Sequence, residues 1–269
     1  MTNDATQPLP RLGIIGVGHL ASYVTRGLRN AGWDGEIVLS PRGASVAADL
    51  GKACGCEVAP DNQAVVDACD IVMLAPRPAQ ALDALAGVTL RSEQTLLSVV
   101  AGVSCAELAA ACRGTDDIVR AIPVTSAEVG ASPNIYFPEH SGVARVLNAC
   151  GTAIPLKREE DFDAAGVMAC VYGWFFVLFD TLTEKSVQAG LDRATAEQVV
   201  LGMAKGAAVI AEAQARPGGN GDAATLARKI ASPGSFTRLG LDQLEDANAF
   251  GPWETAFDTV LAAFRDRHG

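Results

Sequence analysis

The chain has 269 residues, 49% of them apolar and only 6% aromatic, with 27 glycines. That length allows one large or two moderate domains, and that apolar share excludes a disordered chain. The formal net charge of −10 repels a phosphate backbone, so nucleic acid is not an expected partner.

Residues 1–10 (MTNDATQPLP) read as a loose polar tail with no secretory leader. Over residues 11–157, short apolar runs alternate with helix-length amphipathic segments. LGIIGV reads as a strand, and HLASYVTRGLRNAG as a helix closed by Gly32. EIVLS, CEVA, DIVMLA, TLLSVV and DIVRAIP repeat the strand pattern. Between them stand a helix ending near Gly51, NQAVVDAC, PAQALDALAG and SCAELAAACRG, and NIYFP then looks extended. Strands alternating with helices predict an α/β domain with a Rossmann-type, doubly wound parallel sheet.

Residues 158–269 carry no strand pattern and predict an all-α domain. One long helix starts in the acidic turn REEDFD and stops at Gly190. A second runs from Asp192 to the breaker RPGGNG. Shorter helices flank Ser232-Pro233-Gly234, and a last one carries WETAFDTVLAAF. The apolar run AAGVMACVYGWFFVLF is sixteen residues long, below the roughly twenty a membrane span requires. It reads as a buried helix, with no membrane as partner.

Seven cysteines include no CxxC, and His19, His140 and His268 lie far from any cysteine pair. Cys54-Gly55-Cys56 is at most half a metal site, so no metal is expected. Reduced, buried thiols and the absence of a leader point to the cytoplasm.

The first strand runs into Gly16-Val17-Gly18-His19-Leu20-Ala21, a GxGxxA at a strand-to-helix junction. The first glycine permits a tight turn, and the second lets a pyrophosphate approach the backbone. The third small residue lets the helix pack on the strand, while the helix N-terminus offers amide donors. His19 could donate to a phosphate or simply be tolerated in the loop. At the end of the second strand an acid would bind a ribose 2′-hydroxyl, but Ser40-Pro41-Arg42 stands there instead. Ser40 and Arg42 offer donors and positive charge to a 2′-phosphate, which favours NADP over NAD. A solvated surface arginine is the other reading of Arg42.

With those residues placed, the chain resembles the pyrroline-5-carboxylate reductase family over nearly its whole length. The family's GxGxM[GA] loop is matched at 16–21, its Val-Lys-Pro by Pro76-Arg77-Pro78, and its Ser-x-x-Ala-Gly-Val by 98–103. Its Arg-x-Met-Pro-Asn-Thr-Pro corresponds to 120–126 (RAIPVTS), and its Ser-Pro-Gly-Gly-Thr-Thr to 232–237 (SPGSFT). The resemblance implies NADPH-dependent reduction of a C=N bond in a small imine, 1-pyrroline-5-carboxylate or a relative. It also implies an intertwined homodimer or larger assembly. Ala75, Pro76, Arg77, Ala101 and Gly102 would flank the cofactor, and the Ser-Pro-Gly loop would hold the substrate's carboxylate.

The departures concentrate in the substrate half. Ser235-Phe236-Thr237 replaces Gly-Thr-Thr, Val124 the motif Asn, Ser126 the following Pro, and 170–174 (CVYGW) the family's Gly-Ser-Gly-Pro-Ala. Ser235, Phe236 and Trp174 become the candidate substrate wall. Tyr172 is the candidate proton donor, with Thr125 and Thr237 as orienting hydroxyls; the aromatics could instead be helix packing. A β-hydroxyacid dehydrogenase is a second reading, but it needs a lysine early in the long helix, and 161–184 contains none. A cofactor-binding protein with a decayed pocket is a third.

Overall fold

The computed structural model describes residues 8–216 and 221–266. Most of the expected tail, the centre of the RPGGNG breaker, and His268 lie outside the described residues. In chain order the first unit holds β1 (Leu12–Ile15), α1 (His19–Asn30), β2 (Ile37–Leu39), α2 (Ala44–Cys54), β3 (Glu57–Val58) and α3 (Asn62–Ala68). Next come β4 (Ile71–Leu74), α4 (Pro78–Ala86), β5 (Thr95–Ser98), α5 (Cys105–Ala111) and β6 (Ile118–Ile122). A 3-10 turn (Thr125–Val129), β7 (Ser132–Phe137), α6 (Ser141–Ala149) and β8 (Gly151–Pro155) complete it.

The strands form one sheet in the order β3-β2-β1-β4-β5-β6-β7-β8. Every residue of β1, β4 and β5 is buried, as a parallel sheet covered on both faces requires. The alternation of side chains splits the core in two: Ile14 and Met73 pack with Leu28 and Val146 on one face, Ile15 and Leu74 with Val65 and Leu85 on the other.

β1 to β6 are mutually parallel, as expected of a Rossmann-type sheet, but β7 runs antiparallel to β6. The connection 123–131 is too short for the dozen or so residues a parallel crossover needs. β8, which pairs parallel to β7, escaped the sequence reading. It is a half-exposed edge strand that ends in a proline, so its apolar alternation is weak.

Contacts divide the chain into a unit ending at Gly166 and a helical unit from Val167 to Asp266. α7 (Asp161–Gln188) begins in the first unit and continues into the second. α8 (Arg193–Ala215), α9 (Ala223–Ile230), α10 (Phe236–Asp246) and α11 (Gly251–Arg265) follow. Asp192, Asp222 and Ser235 cap α8, α9 and α10, their side-chain oxygens each accepting a first-turn amide.

Two expectations need correction. The sequence predicts that α7 is a buried helix, built on an apolar run too short to span a membrane. The helix is 28 residues long, its most apolar stretch is only 22% buried within the chain, and length and composition alone would let it cross a membrane. The sequence predicts buried cysteines; Cys56, Cys69 and Cys150 are buried, whereas Cys54, Cys105, Cys112 and Cys170 are half-buried. Burial pushes the Cys56 thiol up to about 11, and those of Cys69, Cys105 and Cys150 to about 12.

Candidate active site

The strand order reverses direction at β1 and β4, the place in an open parallel sheet where ligands sit beyond the strands' carboxyl ends. Gly16, directly after β1, has φ +90°, and a Cβ there would stand 2.4 Å from the Pro76 amide nitrogen. Only glycine permits that approach of the β1 and β4 ends. Gly18 differs: its φ is −113°, and a Cβ would meet nothing within 4 Å. It stands at the N-terminus of α1, which has no side-chain cap and no acidic residue in its first turn. The first-turn amides therefore lack a side-chain acceptor among the described residues, at the positive end of the helix and next to Gly18. Ala21 is buried against the sheet, Val17 is buried, Leu20 is half-buried and His19 is exposed.

The end of β2 is locked to this loop. The Gly16 amide donates to Ser40 Oγ at 3.0 Å, and Ser40 is fully buried. Ser40 Oγ thus braces the glycine loop from within. A serine at the end of a buried strand does not reveal which way its hydroxyl points. Gly43, with φ +89°, packs on the backbone of Val17. Arg42, between these anchors, is exposed and makes no hydrogen bond or ion pair among the described residues.

Ala75 and Pro76 are half-buried at the end of β4, and the exposed Arg77 is the N-cap of α4, with Pro78 at its first position. After β5, Ala101 is exposed and Gly102 has φ +73°. Thr125 is exposed on the 3-10 turn after β6. That turn packs on α1 so closely that a Cβ on Gly27 would lie 2.0 Å from the Ala127 carbonyl oxygen. The glycine loop, Arg42, Ala75 to Arg77, Ala101, Gly102 and Thr125 thus share one edge of the sheet. Open space at Gly18, uncapped amides and an uncommitted guanidinium fit a phosphorylated dinucleotide.

A partly buried ion pair beside this edge is not among the candidates read from the sequence. Arg120 on β6 lies 2.5 Å from Glu159 Oε1, and its guanidinium sits 4.5 Å above the Phe162 ring. The same Glu159 oxygen accepts the Cys105 amide at 2.7 Å. Burial pushes the Glu159 carboxyl up, but the Cys105 amide and Arg120 outweigh it, and the net direction is down. An arginine inside the strand IVRAI was the available signal, because an unpaired buried cation is costly.

In the helical unit, Ser235 Oγ accepts the Arg238 amide at 3.1 Å, and the Ser235 amide donates to the Ser232 carbonyl at 3.1 Å. Gly234 adopts φ +79° in this turn. Phe236 is 94% exposed and Thr237 is exposed, so the loop presents both outward. Tyr172 packs edge-on against Phe176 at 5.1 Å, whereas Trp174 meets Trp253 at 6.0 Å. Two residues on a helix are about 200° apart, so Tyr172 and Trp174 face different sides of α7.

Residues 159–267 match the family model for pyrroline-5-carboxylate reductase dimerisation, and residues 11–102 the one for NADP oxidoreductase, coenzyme F420-dependent. The pyrroline-5-carboxylate reductase of Pseudomonas aeruginosa is 30% identical over 254 residues, covering 90% of each chain. That of Glycine max is 29% identical, covering 94% of this chain and 93% of its own. The crystal structure of Plasmodium falciparum pyrroline carboxylate reductase with NADP bound superposes with a TM-score of 0.81 at 23% identity, covering 97% of this chain and 98% of that one.

Proposed function

Because this chain belongs to the pyrroline-5-carboxylate reductase family and has an NADP(H)-binding oxidoreductase fold, we propose that it reduces a carbon–nitrogen double bond with NADPH. The observation that carries this reading is the open side of Gly18 at the uncapped start of α1, with the uncommitted Arg42 on the turn locked beside it. The α1 amides would hold the pyrophosphate and Arg42 the 2′-phosphate. Ala75 to Arg77 and Ala101 with Gly102 would line the path to the reducing end.

When bound, NADPH supplies the hydride that adds to the imine carbon. The chain's own task is positioning. Thr125 and Thr237 offer hydroxyls to orient the substrate, and the Tyr172 hydroxyl is the proposed proton donor to the imine nitrogen. Backbone amides at 232–237 favour a carboxylate, while Phe236 in place of a hydroxyl favours an apolar flank. The substrate is 1-pyrroline-5-carboxylate or a related imine, and we place the reaction in the cytoplasm.

The helical unit works as an intertwined homodimer or larger assembly. Phe176 and Val177 on α7 and Leu201 and Met203 on α8 are exposed in the single chain, an apolar surface that a second copy would cover. A hydroxyacid dehydrogenase is disfavoured, because Lys185 sits in the last turn of α7, where its Nζ donates to Gln188 Oε1 at 3.0 Å.

The test is NADPH oxidation by purified protein with 1-pyrroline-5-carboxylate, carboxylate-free 1-pyrroline and a six-membered cyclic imine. Turnover of at least one is expected. NADPH binding with no turnover of any cyclic or linear imine would establish the non-catalytic alternative instead.

A further inference from the structure

We infer that Arg120 and Glu159 form a positioning clamp that sets the loop 99–104 against which the reducing end of the dinucleotide would lie. The inference rests on the NADPH reading above. The loop joins β5 to α5 and contains the exposed Ala101 and the left-handed Gly102. Both of its ends are tied beside Arg120. At the start, Ser98 stands in register with Arg120 across the β5–β6 pair, and Ser98 Oγ accepts the Val100 amide at 3.4 Å. At the finish, the Cys105 amide donates to the oxygen of Glu159 that also holds Arg120.

Sequence order explains why such a clamp is needed. Glu159 lies 54 residues beyond Cys105, so the carboxylate reaches the first amide of α5 from the entry to α7. Phe162, in the first turn of α7, lies under the guanidinium and holds that entry in place. One cation therefore fixes one carboxylate, which fixes the end of the loop. The side chains are 8% and 25% exposed, so the pair is poorly screened by solvent. Arg120 and Glu159 act through the loop and are positioning residues.

The test is amide hydrogen exchange on the full chain, with NADPH binding measured in parallel. In Glu159→Ala, the peptide spanning 99–105 should exchange about tenfold faster, the size expected for losing a hydrogen bond to a charged group. NADPH should bind several-fold more weakly. Glu159→Gln, which keeps an oxygen for the Cys105 amide, should recover most of both effects. Arg120→Met with Glu159→Gln leaves no unpaired buried charge and serves if the alanine variant fails to fold. It should loosen 99–105 more than Glu159→Gln alone does. Unchanged exchange at 99–105, or acceleration spread equally over the whole sheet, would overturn the clamp. Exchange needs no substrate, so wild-type protein that turns over no imine would count against the proposed reaction and leave this measurement decisive for the clamp.

Discussion

Gly43 rests on Val17: a Cβ added to Gly43 would stand 2.2 Å from the Val17 carbonyl oxygen. The turn that carries Arg42 is thereby fastened to the loop that carries Gly18. Together with the Ser40 hydroxyl under Gly16, this contact couples the two places where a phosphorylated dinucleotide would be held.

Gly18→Ala and Gly43→Ala should separate ligand approach from backbone packing. At Gly18 the backbone is extended and the space open, so alanine should leave stability unchanged or raise it by up to ~1 kcal/mol. It should weaken NADPH at least tenfold, because the methyl group occupies the ligand's approach. At Gly43 the positive φ and the Val17 contact should cost stability, on the order of 1–3 kcal/mol, as well as NADPH affinity. Thermal unfolding and fluorescence titration read both.

Arg42→Ala should weaken NADPH at least tenfold and leave NADH nearly unchanged. Equal losses for the two cofactors would remove Arg42 from the 2′-phosphate.

Ser40→Ala leaves the Gly16 amide buried without its acceptor, a loss of about 1–3 kcal/mol in urea unfolding. The ratio of NADPH to NADH affinity should stay as in the wild type. A shifted ratio would place the Ser40 hydroxyl at the 2′-phosphate.

The exposed apolar faces of α7 and α8 predict self-association. Met203 is 73% exposed in the single chain, and Met203→Glu should drive the protein from dimer to monomer in sedimentation velocity. Wild-type protein sedimenting as a monomer at micromolar concentration would refute the dimer, and wild-type flotation with lipid vesicles would assign those faces to membrane.

Glu159 predicts an acid-side loss. Its carboxyl is held below the usual value in the folded chain, so its contribution is present above the unfolded pKa. That contribution falls away as pH drops through the folded one. The stability gap between wild type and Glu159→Gln should therefore be larger at pH 7 than at pH 3, measured by urea midpoints.

Much of the candidate site was legible because a strand, a GxGxxA and a helix lie within a few residues of one another. The backbone geometry of Gly16 and Gly18 follows from that local order. The brace that Ser40 gives Gly16 was not legible, because the two stand 24 residues apart. Arg120 was visible as an arginine inside a strand, but its partner was not, since the carboxylate lies 39 residues further along. The different facings of Tyr172 and Trp174 were not legible, because adjacency in sequence hides the turn of a helix.

Period and punctuation, read along the chain, were enough to determine the alternating sheet and the helical C-terminal part, and to single out the GxGxxA loop as the candidate phosphate site. Such signals are local, and local sterics decide them. Only the tertiary structure decided the antiparallel turn of β7, the inward brace of Ser40, the uncommitted Arg42 and the shared use of Glu159. It also decided that the most apolar helix lies largely uncovered. Each of these depends on which distant groups meet, and burial together with hydrogen-bond satisfaction across the folded chain settles that.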